Sequence, residues 1–314
     1  VLELEGVHRS FGGRPALVDV GFTVQRGRLT GFVGGNGAGK TTTMRIVLGV
    51  LDADAGEVRL DGTTLDAARR RQFGYMPEER GLYPKMKVAE QLVLLARLHG
   101  WDQKAAERRT ADLLERLSLA ERAGDPVDAL SLGNQQRAQI AAALVHGPQV
   151  LVLDEPFSGL DPLAVDVVLG VLQDTAAAGV PVLFSSHQLD LVERLCDDVV
   201  VISKGRIVAA GAREELRRQY GVRRFELVTE PDVGWLREVP GVVVTELSAG
   251  QALFEADEAA AQDVLRRAVA LGPVARFAPV VPSLGEIFRE VVATSDDESA
   301  PAPSRASALE EAHR

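Results

Sequence analysis

Short apolar segments at positions 2–7, 18–24, 29–33 and 58–60 alternate with glycine-rich turns through the first sixty residues. Runs of that length between turn residues predict strands. A helix is predicted after Gly39, running towards Leu48. From 88 to 123 the pattern changes to helical spacing, with Leu92, Leu95, Ala96 and Leu98, then Leu113, Leu114 and Leu117, and charged residues on the other faces; these predict amphipathic helices. Two uninterrupted apolar runs, 150–153 and 180–184, predict strands buried on both faces, as a parallel sheet requires. Segments 199–202 and 206–209, joined by Ser203-Lys204-Gly205, predict a closing hairpin. Beyond Gly221 the order is strand 224–228, helix 232–238, strand 242–246, strand 252–256, helix 258–271 and strand 274–279. That βαββαβ order predicts a small ferredoxin-like α+β domain, followed by a last helix over 284–292.

The expected organisation is therefore an α/β domain over 1–220, with a helical insertion at about 76–145, and a small α+β domain over 221–293. A chain of 314 residues accommodates one large and one small domain. Residues 294–314 are expected to be disordered, because acids and prolines there replace the large apolar side chains that could offset ordering entropy.

Composition removes several classes of function. Hydrophobic residues at 46% and charged residues at 25% are ordinary for a globular protein. A net charge of -10 and a pI near 5.1 argue against duplex-DNA binding, which needs a basic surface to displace counterions. Nucleic acid is not an expected partner. No apolar run approaches the roughly 20 residues needed to cross a bilayer, and the acidic first six residues lack the features of a signal peptide. The expected location is the cytoplasm. Cys196, the single cysteine, sits beside the apolar stretch 189–195 and reads as core packing.

The chemistry is concentrated in a few segments. Gly34-Gly35-Asn36-Gly37-Ala38-Gly39-Lys40-Thr41 fits G-x-x-x-x-G-K-[ST] between a predicted strand and a predicted helix. Its glycines let backbone N–H groups turn inward around phosphates, Lys40 reaches the β and γ oxygens, and Thr41 offers a hydroxyl to Mg²⁺, with Thr42 in the same first helical turn. The run 150–153 ends in Asp154-Glu155, which places two acids at the carboxyl edge of a parallel sheet. Asp154 can hold Mg²⁺ through water, and Glu155 can position or deprotonate an attacking water. His187 follows another buried strand and is expected at the same edge, although in isolation it reads first as a surface-loop histidine. Ser131 is a good N-cap and Gly133 permits close backbone approach, so 130–136 reads as a second anion-binding helix start leading into Gln135 and beyond. Phe11, before Gly12-Gly13, presents a ring that could stack on a base or simply cap the core.

Taken in this order, residues 2–216 resemble the ATP-binding subunits of ABC transporters. Leu130-Ser131-Leu132-Gly133-Asn134-Gln135-Gln136 is similar to a variant of that family's L-S-G-G-Q sequence, retaining Leu130, Ser131, Gly133 and Gln135 and departing at Leu132 and Asn134. The resemblance implies that Phe11 stacks on adenine, Asp154-Glu155 is Walker B, Ser158-Gly159-Leu160-Asp161 is the D-loop with Asp161 near nucleotide, and His187 is the switch histidine. It further implies two ATPs sandwiched head to tail in a homodimer or heterodimer, hydrolysis with Mg²⁺, and a separate multi-helix membrane permease to which the subunit is peripheral on the inner face. Glu78 stands where the family usually has a glutamine that meets Mg²⁺ or the attacking water; a carboxylate is also a hard ligand but adds negative charge, and an exposed Glu78-Glu79-Arg80 charge cluster is the plainer alternative. The Glu-Glu-Arg-Gly-Leu-Tyr segment and the C-terminal extension resemble exporter ATPases of the sodium-extrusion and antibiotic-resistance types. Two other classes compete: a soluble ABC protein acting on ribosomes or DNA, and an ATP-dependent assembly sensor that does not turn over.

Overall fold

The computed structural model describes residues 1–79, 81–220, 223–280, 283, 285 and 286, so the helix expected over 284–292 and the stretch from 294 fall outside the described residues, save 285 and 286. The chain forms two compact units, residues 1–213 and the part from Glu214 onward.

The first unit holds two sheets. Strands β1 (Leu2–Phe11), β2 (Arg14–Val24), β4 (Ala55–Leu60) and β5 (Thr63–Thr64) make an antiparallel sheet in the order β2-β1-β4-β5. The second sheet uses β3 (Leu29–Val33), β6 (Phe73–Met76), β7 (Val150–Leu153), β8 (Val182–Ser186), β9 (Asp198–Ser203) and β10 (Arg206–Ala212), in the order β10-β9-β3-β8-β7-β6. All its pairings are parallel except β10 on β9. The expected hairpin is there, and its first strand is also laid parallel to β3 inside the sheet. Every residue of β3, β7 and β8 is buried, as their unbroken apolar runs demand.

Helix α1 (Lys40–Leu48) follows β3, and Met44, Ile46 and Val47 share a core with Leu2, Leu4 and Leu17 of the antiparallel sheet and Phe32, Val152 and Leu183 of the parallel one. The short helix α2 (Ala67–Arg70) precedes β6. Helices α3 (Val88–Leu98), α4 (Gln103–Arg116) and α5 (Leu132–Leu144) form the insertion, and α6 (Pro162–Ala177) and α7 (Leu189–Leu195) alternate with β7, β8 and β9. Strand β6 is absent from the expectations drawn from hydrophobic runs. Gly74 interrupts its pattern, and the packing requires that glycine: a Cβ there would lie 2.2 Å from the Ala143 carbonyl oxygen of α5. Cys196 is buried against Gly31, and burial pushes its thiol up, in keeping with a packing role.

The second unit takes in α8 (Arg213–Tyr220) from its second residue, then β11 (Arg224–Thr229), β12 (Val242–Ser248), β13 (Gln251–Ala256), α9 (Glu258–Leu271) and β14 (Val274–Val280). Its sheet is antiparallel throughout, in the order β12-β13-β11-β14. This is the ferredoxin-like arrangement, with one change: the first helical segment is a 3₁₀ turn, Gly234–Glu238. The turn lies between Pro231 and Pro240. Among the described residues no helix is long and apolar enough to cross a membrane.

The core of the second unit centres on Phe254, fully buried, with ring centroids 5.8 Å from Phe225 and 6.4 Å from Phe277. Truncation removes transfer energy and leaves a cavity, so Phe254→Ala is expected to destabilise this unit by about 3–5 kcal/mol. Urea unfolding followed by a probe in the second unit checks it.

Candidate active site

The parallel ladder aligns Met76 with Leu153, Leu153 with Phe184, and Val33 with Ser186. The residues that follow these strand ends, Pro77-Glu78, Asp154-Glu155, His187 and Gly34, therefore emerge at one sheet edge, where open α/β sheets bind ligands. A cleft of about 470 Å³ opens there. Its floor is Gly35, Asn36, Gly37 and Gly39, followed by Lys40, Thr41 and Thr42 of α1; Glu78, Asp154, Glu155 and His187 line the rest, with Ala16 from β2.

The loop before α1 is held in a form only glycine adopts easily. Gly39 has φ +114°, and a Cβ on it would lie 2.7 Å from Leu17 Cδ2 and 3.1 Å from Ile202 Cδ1. No side chain caps α1, which leaves its first-turn amides and positive dipole for an anion. Lys40 is 9% exposed, and its ammonium donates to the Gly34 and Gly35 carbonyls at 2.7 and 3.2 Å. Three donors bent over the loop in this way suit a polyphosphate. Gly34 and Ala38 serve beneath the cleft: a Cβ on Gly34 would meet the Ile202 carbonyl at 2.5 Å, and the Ala38 carbonyl accepts from Gly205 N–H at 2.9 Å.

Asp154 is 2% exposed, and its carboxylate accepts from the Thr41 hydroxyl at 3.3 Å and from the Ser185 hydroxyl. Glu155 takes φ +52°, a left-handed conformation that costs a non-glycine residue about 1–3 kcal/mol. Its N–H donates to Ser185 Oγ at 2.9 Å and its carbonyl accepts from Gln136 Nε2 at 2.9 Å. Thus oriented, the Glu155 carboxylate lies 2.9 Å from His187 Nδ1. Burial pushes the Glu155 carboxyl above its usual range, against the opposing pull of His187 and Lys40. Neither Ser185 nor Gln136 was given a role by the sequence: Gln136 only closes the 130–136 segment, and Ser185 is visible only as a serine near the end of a buried strand.

Phe11, Ser131, Gly133, Gln135 and Asp161 do not line this cleft. Phe11 lies at the end of β1, 49% exposed, with the Arg9 guanidinium 5.0 Å from its ring centre. Ser131 caps α5, accepting from Asn134 N–H at 3.3 Å, and Asp161 caps α6, accepting from Ala164 N–H at 2.8 Å. Gly133 packs against the 158–161 turn, where a Cβ would lie 3.6 Å from the Gly159 carbonyl and from Leu160. Gln135 requires a correction, because it is 7% exposed and its amide donates inward to the Leu130 carbonyl at 2.9 Å. The half-buried Asn134, beside the cap, is the polar side chain nearer the surface.

The ABC transporter family profile matches residues 17–158, and a second, described as ATP-binding protein DrrA1-3-like, C-terminal domain, matches residues 211–292. An uncharacterized ABC transporter ATP-binding protein of Bacillus subtilis (strain 168), YhaQ, is 36% identical over 293 residues, 93% of this chain and 98% of the relative. The chain belongs to the ABC transporter ATP-binding proteins. ATP binding and hydrolysis are general to that family, and this chain is an ATPase. Nod factor export ATP-binding protein I of Ralstonia nicotianae (strain ATCC BAA-1114 / GMI1000) is 37% identical over 219 residues, 69% of this chain and 68% of the relative. A solved ATP-binding subunit of an ABC transporter superposes with a TM-score of 0.65 at 35% identity, covering 70% of this chain and 93% of that one. ABC ATP-binding subunits work as dimers with a separate transmembrane permease.

A methyl group on Gly39 must displace Leu17 and tolerate a positive φ. Gly39→Ala is expected to weaken ATP retention about tenfold or more while costing roughly 1–3 kcal/mol of stability, measured by equilibrium binding of labelled ATP and by urea unfolding.

Proposed function

We propose that this chain is the ATP-hydrolysing subunit of an exporter, in which closure of two subunits around MgATP and reopening after hydrolysis drive a separate membrane permease. The observation that carries the hydrolytic reading is the Glu155–His187 pair at 2.9 Å, set above the Lys40 cradle at one sheet edge. Glu155 accepts the proton of the attacking water. Its raised carboxyl makes it a stronger base than an exposed glutamate, and at acid pH protonation switches it off. His187 gives its Nδ1–H to that carboxylate, which leaves Nε2 to accept from the water or, as imidazolium, to donate to a phosphate oxygen. Lys40 and the first-turn amides of α1 hold the β and γ phosphates.

The donor set fits Mg²⁺: the Thr41 hydroxyl and Asp154 carboxylate lie 3.3 Å apart, with Glu78 across the cleft, all hard oxygens. When bound there, Mg²⁺ neutralises charge on the phosphate oxygens.

The dimer reading is supported by the position of Ser131 and Gly133 outside their own cleft, on a helix start suited to an anion. In this reading Ser131, Gly133, Asn134 and the 158–161 turn complete the site of a second subunit, and Phe11 stacks on adenine at the rim. Export is supported by the relative whose name states Nod factor export. The division into a 1–220 ATPase domain and a 221–293 C-terminal domain, and peripheral attachment at the inner face of the membrane, belong to the same proposal. An acidic chain offers a ribosome or DNA no electrostatic footing.

Glu155→Gln is expected to keep ATP affinity and to lower turnover about 100-fold or more, measured as phosphate release beside equilibrium nucleotide binding; parental turnover would remove Glu155 from the chemistry. Ser131→Arg is expected to abolish turnover while a single subunit still binds ATP. Sedimentation of the Glu155→Gln chain with ATP should then show a dimer that the doubly substituted chain fails to form, and normal ATPase activity of Ser131→Arg would refute the shared site.

A further inference from the structure

Helix α5 carries three buried glutamines, Gln135, Gln136 and Gln139, each bonded outside the helical ladder. Gln135 closes on the helix's own entry at Leu130. Gln139 accepts from Gly81 N–H, in the segment after β6, at 3.4 Å. Gln136 reaches 19 residues along the chain and donates to the Glu155 carbonyl at 2.9 Å. The chemistry described above uses none of these amides.

The Gln136 contact falls on the one peptide whose conformation decides where the Glu155 carboxylate points. With φ at +52°, Glu155 sits in a well that a glutamate occupies only when its surroundings enforce it. Enforcement comes from both sides: Ser185 Oγ takes the N–H, and the C=O accepts from Gln136 Nε2 at 2.9 Å and, in the turn that follows, from Ser158 N–H at 3.2 Å. The two anchors lie on separate elements, Ser185 on β8 within the sheet and Gln136 on the first turns of α5, five residues from the Ser131 cap. Loss of the α5 anchor leaves the Glu155 carbonyl with the longer Ser158 N–H bond alone and the residue freer to relax towards negative φ, which before Pro156 means extended backbone and swings the carboxylate away from His187.

We propose that Gln136 is a positioning residue, whose carboxamide ties the aim of the Glu155 carboxylate to the seating of the α5 start. The inference rests on Glu155 acting as the base. Its consequence is a mechanical link inside one subunit. A phosphate engaged at the Ser131 end of α5 settles that helix, and the same helix holds the carboxylate that works in the subunit's own cleft. Occupancy of one face is thereby reported to the chemistry of the other through a single hydrogen bond.

The test is a double-mutant cycle on the full-length chain between Gln136→Met, which keeps an unbranched side chain of similar length but removes the donor, and Glu155→Gln. Gln136→Met alone is expected to lower kcat about ten- to 100-fold, with KM for MgATP within about threefold of the parent. In the Glu155→Gln background the same substitution is expected to lower the residual turnover by less than about twofold, because no carboxylate remains to be aimed. Equal fold losses in the two backgrounds, or a parental kcat for Gln136→Met, would overturn the proposal. If Gln136→Met fails to retain ATP, the cycle is run with Gln136→Glu, which places an acceptor against the carbonyl, and the same two outcomes decide. A parental rate for Glu155→Gln itself would instead dismiss the base, a result distinguishable because it appears before Gln136 is changed.

Discussion

Parallel pairing places Met76 beside Leu153, Leu153 beside Phe184 and Val33 beside Ser186, so that four strands run out together at one edge. Everything chemical in the first unit starts from that level edge. The loop after β3 can wrap phosphates because α1 begins there, and the acids after β7 arrive within hydrogen-bond reach of Thr41 and His187 because the ladder fixes their height. A shift of one residue in β7 would turn its alternate side chains to the other face of the sheet and carry Asp154 and Glu155 out of line. The full burial of β3, β7 and β8 is what prevents such a shift.

The starts of three helices show how capping divides labour. Helix α1 has Gly39 at its N-cap and no side chain to satisfy its first amides, so those amides are available to a ligand. Helix α6 is closed by Asp161, whose carboxylate takes the Ala164 N–H, a negative group that suits the positive end of a dipole. Helix α5 falls between them. Its cap is the neutral Ser131 hydroxyl at 3.3 Å, a long bond that leaves the dipole uncompensated by charge. These differences in cap chemistry leave free first-turn amides at α1 and a positive end that no charge offsets at α5, on which the proposed shared site draws.

Legibility varied with the range of the interaction involved. The P-loop, the strand-ending acids and the histidine were readable because each lies beside an apolar run whose burial is implied by its own composition, and the run determines where its neighbours emerge. The C-terminal βαββαβ order was readable from alternation, although the 232–238 segment is a 3₁₀ turn between prolines. Strand β6 was not readable, since Gly74 serves the close approach of Ala143 on α5 and contributes nothing to a hydrophobic pattern. Gln135 looked like a site residue by its place in a motif, yet helical geometry turns it onto Leu130. The contacts of Ser185 and Gln136 were invisible for the same reason in reverse: their partners are 31 and 19 residues distant.

The amino-acid sequence by itself determined the strand-loop-helix cradle, the order of acidic and basic groups along the chain, the α/β class and the acidic surface. Those properties follow from local periodicity and from backbone preferences of glycine, which act over a few residues. Only the tertiary structure decided which groups meet. The Glu155–His187 contact, the left-handed peptide of Glu155 and its two anchors, and the separation of Ser131 from its own cleft all arise from sheet register and helix packing. A hydrogen bond between residues far apart in sequence is specified by the positions of whole elements, and no local pattern encodes it.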